Sequence, residues 1–446
     1  MESIWTKSAQ EFKTQHRTKE LPKTVETAVI GAGMAGILCA WLLREAGIKA
    51  VVFEAATVGS GQTKNTTAKI TAQHGLIYER LVKTVGARAA GQYARANQEA
   101  IREYGRIVQE NGIHCGFKRL PAYLYTNTDE GMLRLELERS AVVHLGLPVS
   151  MVYQTELPVP VKAALKLSDQ AQFRPLEFLH ALAERMPVYE HTPVFRVRGH
   201  ELVTNRGTVR AEKVIFATHF PFPNMPGFYF ARMHQERSFV LAFAVSVKQI
   251  LSGMYYGIDT DGLSFRSTGD TLLLGGGSRR TGTGCQKDSF AALRFEAERL
   301  YPGYTETAAW AAQDCMTLDG IPYIGRFSVF TPDWYVATGF GKWGMTGSMT
   351  AAMALRDMIT GRETKKWQVF SPQRLNPRAA TVPFLKNGAV ALKNLLTPGG
   401  PRCRHLGCKL VYNRAERSWD CPCHGSRYSH EGKLIDNPAQ KGLERV

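Results

Sequence analysis

Residues 25–54, "VETAVIGAGMAGILCAWLLREAGIKAVVFE", restrict the fold more than any other stretch of the chain. An apolar run leads into Gly31-x-Gly33-x-x-Gly36, a helical pattern follows, and a second apolar run ends at Glu54. The order strand, glycine turn, helix, strand is that of a dinucleotide-binding βαβ unit. Gly31 makes the tight turn, Gly33 lets backbone approach a pyrophosphate, and Gly36 allows the helix to pack close to the strand. The free N–H groups of the helix N-terminus favour phosphate, and Glu54 at the second strand tip can accept hydrogen bonds from ribose hydroxyls. This predicts a dinucleotide site and leaves FAD and NAD both open.

Length and charge narrow the class. A chain of 446 residues predicts two or three domains, and its 44% hydrophobic content is ample for a core. No apolar run reaches the length of a membrane span, and the polar N-terminus lacks the core of a signal peptide. A cytoplasmic protein is expected, with reduced thiols at the scattered Cys39, Cys115, Cys285 and Cys315. The formal net charge of +17 is spread thinly over a chain without a visible nucleic-acid module. Residues 361–446 hold 16 Lys and Arg against 6 Asp and Glu, a basic surface that could attract an acidic electron carrier.

The end of the chain carries metal chemistry. Cys403 and His405 form C-x-H, Cys421 and His424 form C-x-x-H, and 15 residues separate the pairs. Two thiolates and two imidazoles suit tetrahedral zinc, or a 2Fe–2S cluster with cysteines on one iron and histidines on the other. Zinc gives no role to Cys408 and Cys423. The strings C-x-H-L-G-C and C-P-C-H-G-S resemble the cluster-binding loops of Rieske proteins. That resemblance implies metal ligands Cys403, His405, Cys421 and His424, and a Cys408–Cys423 disulfide tying the loops together. It also implies hydrogen bonds from Ser426 and Tyr428 to cluster or ligand sulfur, which raise the potential. Residues 401–446 are too few for a self-sufficient domain, so this subdomain must lean on the rest of the chain.

"WYVATGFGKWGMTGSMTAAMALRDMITGR" reads as a strand, a Gly-rich turn and a second helix start. The pattern resembles FAD-dependent oxidoreductases of the D-amino-acid oxidase and glycine oxidase type, which implies Gly339, Gly341, Gly344, Met345 and Thr346 beside the flavin. "GQTKNTTAKITAQHG" resembles the family's pyrophosphate loop and suggests Thr66, Thr67, Ala68 and Lys69. "YEHTPVFRV" places Val194 near adenine, "EKVIFATHF" places Ala217 and Thr218 beside the dinucleotide, and "WAAQDCMTLDGIPYIG" resembles the stretch before the family's last strand. The architecture implied is a doubly wound FAD domain (about 22–75, 150–222 and 305–365) with an interleaved α+β substrate domain (about 76–149 and 223–304). A linker (366–400) and a small β-rich cluster subdomain (401–446) follow. "FLKNGAVALKNLL" in the linker has helical apolar spacing and reads as a docking strut in preference to a membrane anchor. "TLLLGGGSRRTGTG" reads as the end of a strand in the substrate domain, not as a second nucleotide loop.

The resemblance implies oxidation of an amine or amino acid, hydride passing to the flavin. Substrate-binding candidates are Tyr255, Tyr256, Arg266 and Arg279, with Arg266 expected to hold a carboxylate. FAD is expected to be bound without a covalent link, since Cys315 stands closer to Asp319 than such a tether requires. An amine is a two-electron donor and a Rieske cluster a one-electron acceptor. A dehydrogenase delivering single electrons to ferredoxin, flavodoxin or a quinone pool is therefore expected. A reductase running the other way and a non-catalytic redox sensor are the alternatives, and an oligomer is compatible with either. No 2-His-1-carboxylate site of a Rieske oxygenase is visible.

Overall fold

A computed structural model describes residues 2–8, 20–284, 288–362 and 364–444; Cys285 and residues 9–19 of the polar N-terminal stretch lie outside them. Strand Thr24–Ile30 runs parallel to Ala50–Phe53, pairing Thr27 with Ala50 and Ile30 with Phe53. On its other side it runs parallel to Gly207–Phe216, which is parallel in turn to Thr331–Thr338. Helix Met34–Glu45 crosses between the first two strands and is buried from Met34 to Leu43. A helix apolar on all sides belongs in the middle of a layered fold. Helix Gly344–Ile359 packs on it, and both begin at the carboxyl end of the sheet.

A second sheet of nine strands faces this end. Its long members are Met233–Ala244, Thr271–Arg280 and Thr305–Thr317. The "TLLLGGGSRR" stretch is thus a strand, as its sequence indicates. Segments 163–172 and 305–317, expected in the dinucleotide domain, belong to this sheet instead. Ala163–Gln172 pairs with Lys118–Thr126, and Thr305–Thr317 pairs along nearly its whole length with Met233–Ala244. Partners 37 to 84 residues apart decide the sheet, and local sequence does not register them.

The segment expected as a linker holds a 20-residue helix, Pro377–Leu396, with proline at its first turn and a Gly399–Gly400 pair beyond its end. Residues 411–436 form a four-stranded antiparallel sheet whose small core is Cys403, Cys408, Leu410, Cys421, Cys423, Tyr428 and Ala439. Four of those seven residues are cysteines, so the subdomain depends on its cross-links and on the surface beneath it. Among the described residues no helix is long and apolar enough to cross a membrane.

Candidate flavin and iron–sulfur site

Between the two sheets lies a cavity of about 1940 Å³. Typical small-molecule sites span roughly 300–1,000 Å³, so this one has room for a dinucleotide and a substrate together. Gly31, Gly33 and Glu54 line it from the first βαβ unit. Gly31 has φ +105°, and a Cβ there would lie 2.6 Å from the Ala217 carbonyl oxygen. Gly36 does not face the cavity; a Cβ on it would collide with the Gly31 carbonyl, which is the close packing expected of it. The Glu54 carboxylate accepts from the Ala32 and Ala56 amides at 2.7 and 2.8 Å, and burial pushes its pKa up.

Thr66, Thr67 and Lys69 line the next wall, with Ala68 buried behind them. Trp5 donates to the Thr66 carbonyl at 2.7 Å and Trp310 to the Asn65 carbonyl at 2.9 Å. Val194, Ala217 and Thr218 also line the cavity, and Gly341, Gly344 and Met345 line it at the second helix start. Gly339 and Thr346 are absent from the lining; Thr346 donates to the Thr71 carbonyl at 3.1 Å and meets the His74 ring.

The substrate candidates divide. Tyr256 and Arg279 line the cavity; Tyr256 meets Trp343 at 5.5 Å, and Trp343 stacks on His74 at 4.9 Å. Tyr255 is turned away, stacked on Tyr123 and donating to Glu156 Oε1 at 2.8 Å. Arg266 is 1% exposed and fully committed: Nε donates to Gln172 Oε1 at 2.7 Å, Nη2 to the Phe173 carbonyl at 3.1 Å and Nη1 to the Thr67 carbonyl. It secures the Thr66–Lys69 loop from behind and cannot also clamp a substrate carboxylate. Beside it, Lys69 donates to the Tyr255 carbonyl at 2.9 Å and to Ser264 Oγ. Burial lowers the Lys69 pKa to about 7, and the Arg266 charge acts in the same direction.

In the C-terminal subdomain Cys408 and Cys423 form a disulfide. The sulfurs of Cys408, Cys421 and Cys423 lie within 4.8 Å of one another, but two are consumed by that bond, which leaves Cys421 for a metal. Cys403 is its neighbour, and the Tyr428 hydroxyl lies 3.4 Å from Cys403 Sγ. The hydrogen bond with Cys421 is the main influence drawing the Cys403 thiol down, and the Tyr428 and Ser426 hydroxyls add to it. The rings of His405 and His424 stand 4.9 Å apart, and both Nδ1 atoms are buried without a hydrogen-bond partner. Burial lowers their pKa to about 4 and about 3, so both imidazoles are neutral and ready to ligate. Two thiols and two unpartnered Nδ1 atoms are the donor set a Cys₂His₂ cluster needs.

The histidine side of this cluster site faces the flavoprotein. Asn224 Oδ1 lies 2.7 Å from His405 Nε2, and Phe230 packs edge-on against both rings. Gln235 Nε2 donates to the His424 carbonyl at 2.8 Å and to the Asn437 carbonyl at 2.9 Å. Its Oε1 meets His219 Nε2 at 3.1 Å, and His219 lines the cavity. Gly425 (φ +89°) lets the cluster loop come this near, since a Cβ would lie 2.5 Å from that of Gln235. Asp436 and Asn437 reach the cavity wall themselves. Asn224 and Gln235 carry no motif that identifies them in the sequence, and His219 and Trp343 stand unremarked inside "EKVIFATHF" and the Gly-rich turn; only the fold brings the four to this site.

A family model described as FAD dependent oxidoreductase matches residues 26–358. The chain belongs to this family. A Rieske [2Fe-2S] domain matches residues 394–446 of the same oxidoreductase. The Rieske 2Fe-2S iron–sulfur protein YhfW of Bacillus subtilis is 32% identical over 504 residues, taking in 97% of this chain and 99% of that protein. Glycine oxidase from Geobacillus kaustophilus shares the fold, with TM-score 0.67 and 20% identity over 79% of this chain and 100% of that one. The cytochrome b6-f complex iron–sulfur subunit of a Synechococcus strain is 45% identical over 62 residues, 14% of this chain and 34% of that subunit. The oxidoreductase is therefore an FAD enzyme with a Rieske-type 2Fe–2S domain.

Proposed function

We propose that the chain is an amine or amino-acid dehydrogenase whose electrons leave one at a time through the C-terminal cluster to an external carrier. The observation that carries this is the contact of the cluster loop with the cavity wall through His219, Gln235 and the His424 carbonyl. When bound, FAD supplies two-electron oxidation and the 2Fe–2S cluster one-electron transfer. Cys403, Cys421 and the Nδ1 atoms of His405 and His424 would hold the cluster. Gly31, Gly33, Glu54 and the Thr66–Lys69 loop would hold the dinucleotide. Tyr256, Trp343 and Arg279 shape the substrate end, and Lys69, neutral above about pH 7, can take a proton from a substrate ammonium. The fold shared with glycine oxidase supports an amine substrate.

Anaerobic stopped flow with a panel of amines and amino acids tests the reading. A substrate that bleaches the flavin should then bleach the cluster; flavin reduction that never reaches the cluster sinks the relay. FAD is expected to be non-covalent. Cys315 lines the cavity, but burial pushes its thiol pKa far up and it donates to the His219 carbonyl. Acid precipitation should leave all the yellow colour in the supernatant.

A further inference from the structure

Helix Pro377–Leu396 is inverted for a surface helix. Its one buried residue is Asn387, whose Oδ1 accepts from Arg280 at 2.7 Å, and the half-buried Asn394 continues the inward face. Outward stand Val382, Leu385, Leu392 and Leu396, exposed by 60, 64, 59 and 72%, with Phe384 and Leu395 alongside. With Ala389 these positions recur every three or four residues and make one continuous apolar stripe. Leu375, just before the helix, is 94% exposed. Leu406 at the tip of a cluster loop is also exposed, and Arg402 joins that loop to the helix end by donating to the Leu395 and Gly407 carbonyls. A patch this extended marks a surface that is covered in use.

Charge selects what covers it. Residues 364–415 contain ten Lys and Arg and no Asp or Glu. Lys366 and Arg374 answer carboxylates of the flavoprotein, but Arg378, Lys386, Lys393 and Arg402 make no ion pair among the described residues. Lys386 and Lys393 follow Leu385 and Leu392 along the edge of the stripe. A second copy of the helix would set these lysines against like charge, with no carboxylate on either helix to relieve it. A single protein groove would engage a few clustered anchors, whereas here the apolar residues run the length of the helix and on to the cluster loop. A bilayer answers both features, its acyl boundary taking the stripe and anionic headgroups taking the lysines. We propose that the outward face of Pro377–Leu396 lies in the interface of an anionic lipid membrane, the helix parallel to the surface.

Flotation of the full-length holoprotein with vesicles tests this without turnover, so its result is separate from that of the electron relay. The probe is phosphatidylcholine with about 30% phosphatidylglycerol at about 0.1 M salt, against pure phosphatidylcholine and about 0.5 M salt. Wild type should float with the anionic vesicles roughly tenfold better than with either control. The double variant Leu385→Glu with Leu392→Glu should stay at the bottom with flavin and iron content unchanged. Lys386→Gln with Lys393→Gln should lose most anionic-vesicle binding, again by roughly tenfold. Absence of flotation, or equal flotation of wild type and the glutamate variant, overturns the proposal. A wild-type dimer that the glutamate variant converts to monomer, without flotation in either, assigns the face to a second copy and likewise overturns it.

Discussion

Arg266 and Lys69 stand on opposite sides of one loop and have opposite duties. Arg266 supports the Thr66–Lys69 backbone from a position where no ligand reaches it, so its removal should act on cofactor retention. Replacing it with Met leaves Gln172 Oε1 and two carbonyls unanswered, at about 1–3 kcal/mol each. The Arg266→Met protein should lose FAD and denature earlier, read as flavin absorbance per chain and the thermal midpoint. A raised KM with full flavin content would return Arg266 to the substrate. Lys69 faces the cavity, and its depressed pKa gives activity a direction in pH. Below about pH 7 it is an ammonium and cannot accept a proton; above that it can. The anaerobic rate of flavin bleaching should rise through about pH 7 in the wild type, and Lys69→Met should lose that inflection while keeping any higher one due to the substrate amine. An unchanged profile would take the proton transfer away from Lys69.

Strand Met233–Ala244 does more for the site than any motif-bearing element, because it pairs on both sides and carries Gln235 at its start. Gln235 is 1% exposed and links His219, Gln313, His424 and Asn437. Gln235→Leu removes these bonds without adding bulk. If one lost bond weakens docking by about 1.4 kcal/mol, the docking constant falls roughly tenfold. Cluster bleaching after substrate addition should slow accordingly, while flavin reduction and the EPR signal of the dithionite-reduced cluster stay as they were. Equal cluster-bleaching rates would show that this contact carries nothing. Such an element shows why the site was half legible in the sequence. The Gly31–Gly36 turn and the Cys403–His424 ligand set are local patterns, each readable from its own spacing. Gln235 and Asn437 are ordinary amides until the fold brings them together across some 200 residues. Arg266 misled for a related reason: strand periodicity gives the face on which an arginine points, not the acceptors waiting there.

At the scale of the whole molecule the cluster subdomain is fixed to its own chain by buried charge. Arg237 of the second sheet pairs with Glu416, which also receives Arg427, and Arg427 reaches Asp420 and Asp436. Arg237, Glu416 and Arg427 have side chains 4–7% exposed. Arg280 donates to the Pro422 and Cys423 carbonyls, and Gln62 to Asp436 Oδ1. Charges so far from water reward one geometry and penalise any that parts them, so the ladder specifies an orientation more than it adds stability. None of this was visible in the net charge of the tail, which is basic while its buried face is acidic. A swinging module could visit a flavin in another chain; docking in cis favours its own. Cluster reduction after substrate addition should therefore be first order, with a rate constant unchanged when the protein is diluted tenfold under anaerobic conditions. Glu416→Gln removes a charge that two guanidinium groups share, a break that costs about 3–5 kcal/mol in buried pairs. It should slow the reaction in proportion to the undocked fraction. A rate that falls with dilution in the wild type would mean that the cluster receives electrons from a neighbouring chain, and that the docking in cis is not the one that works.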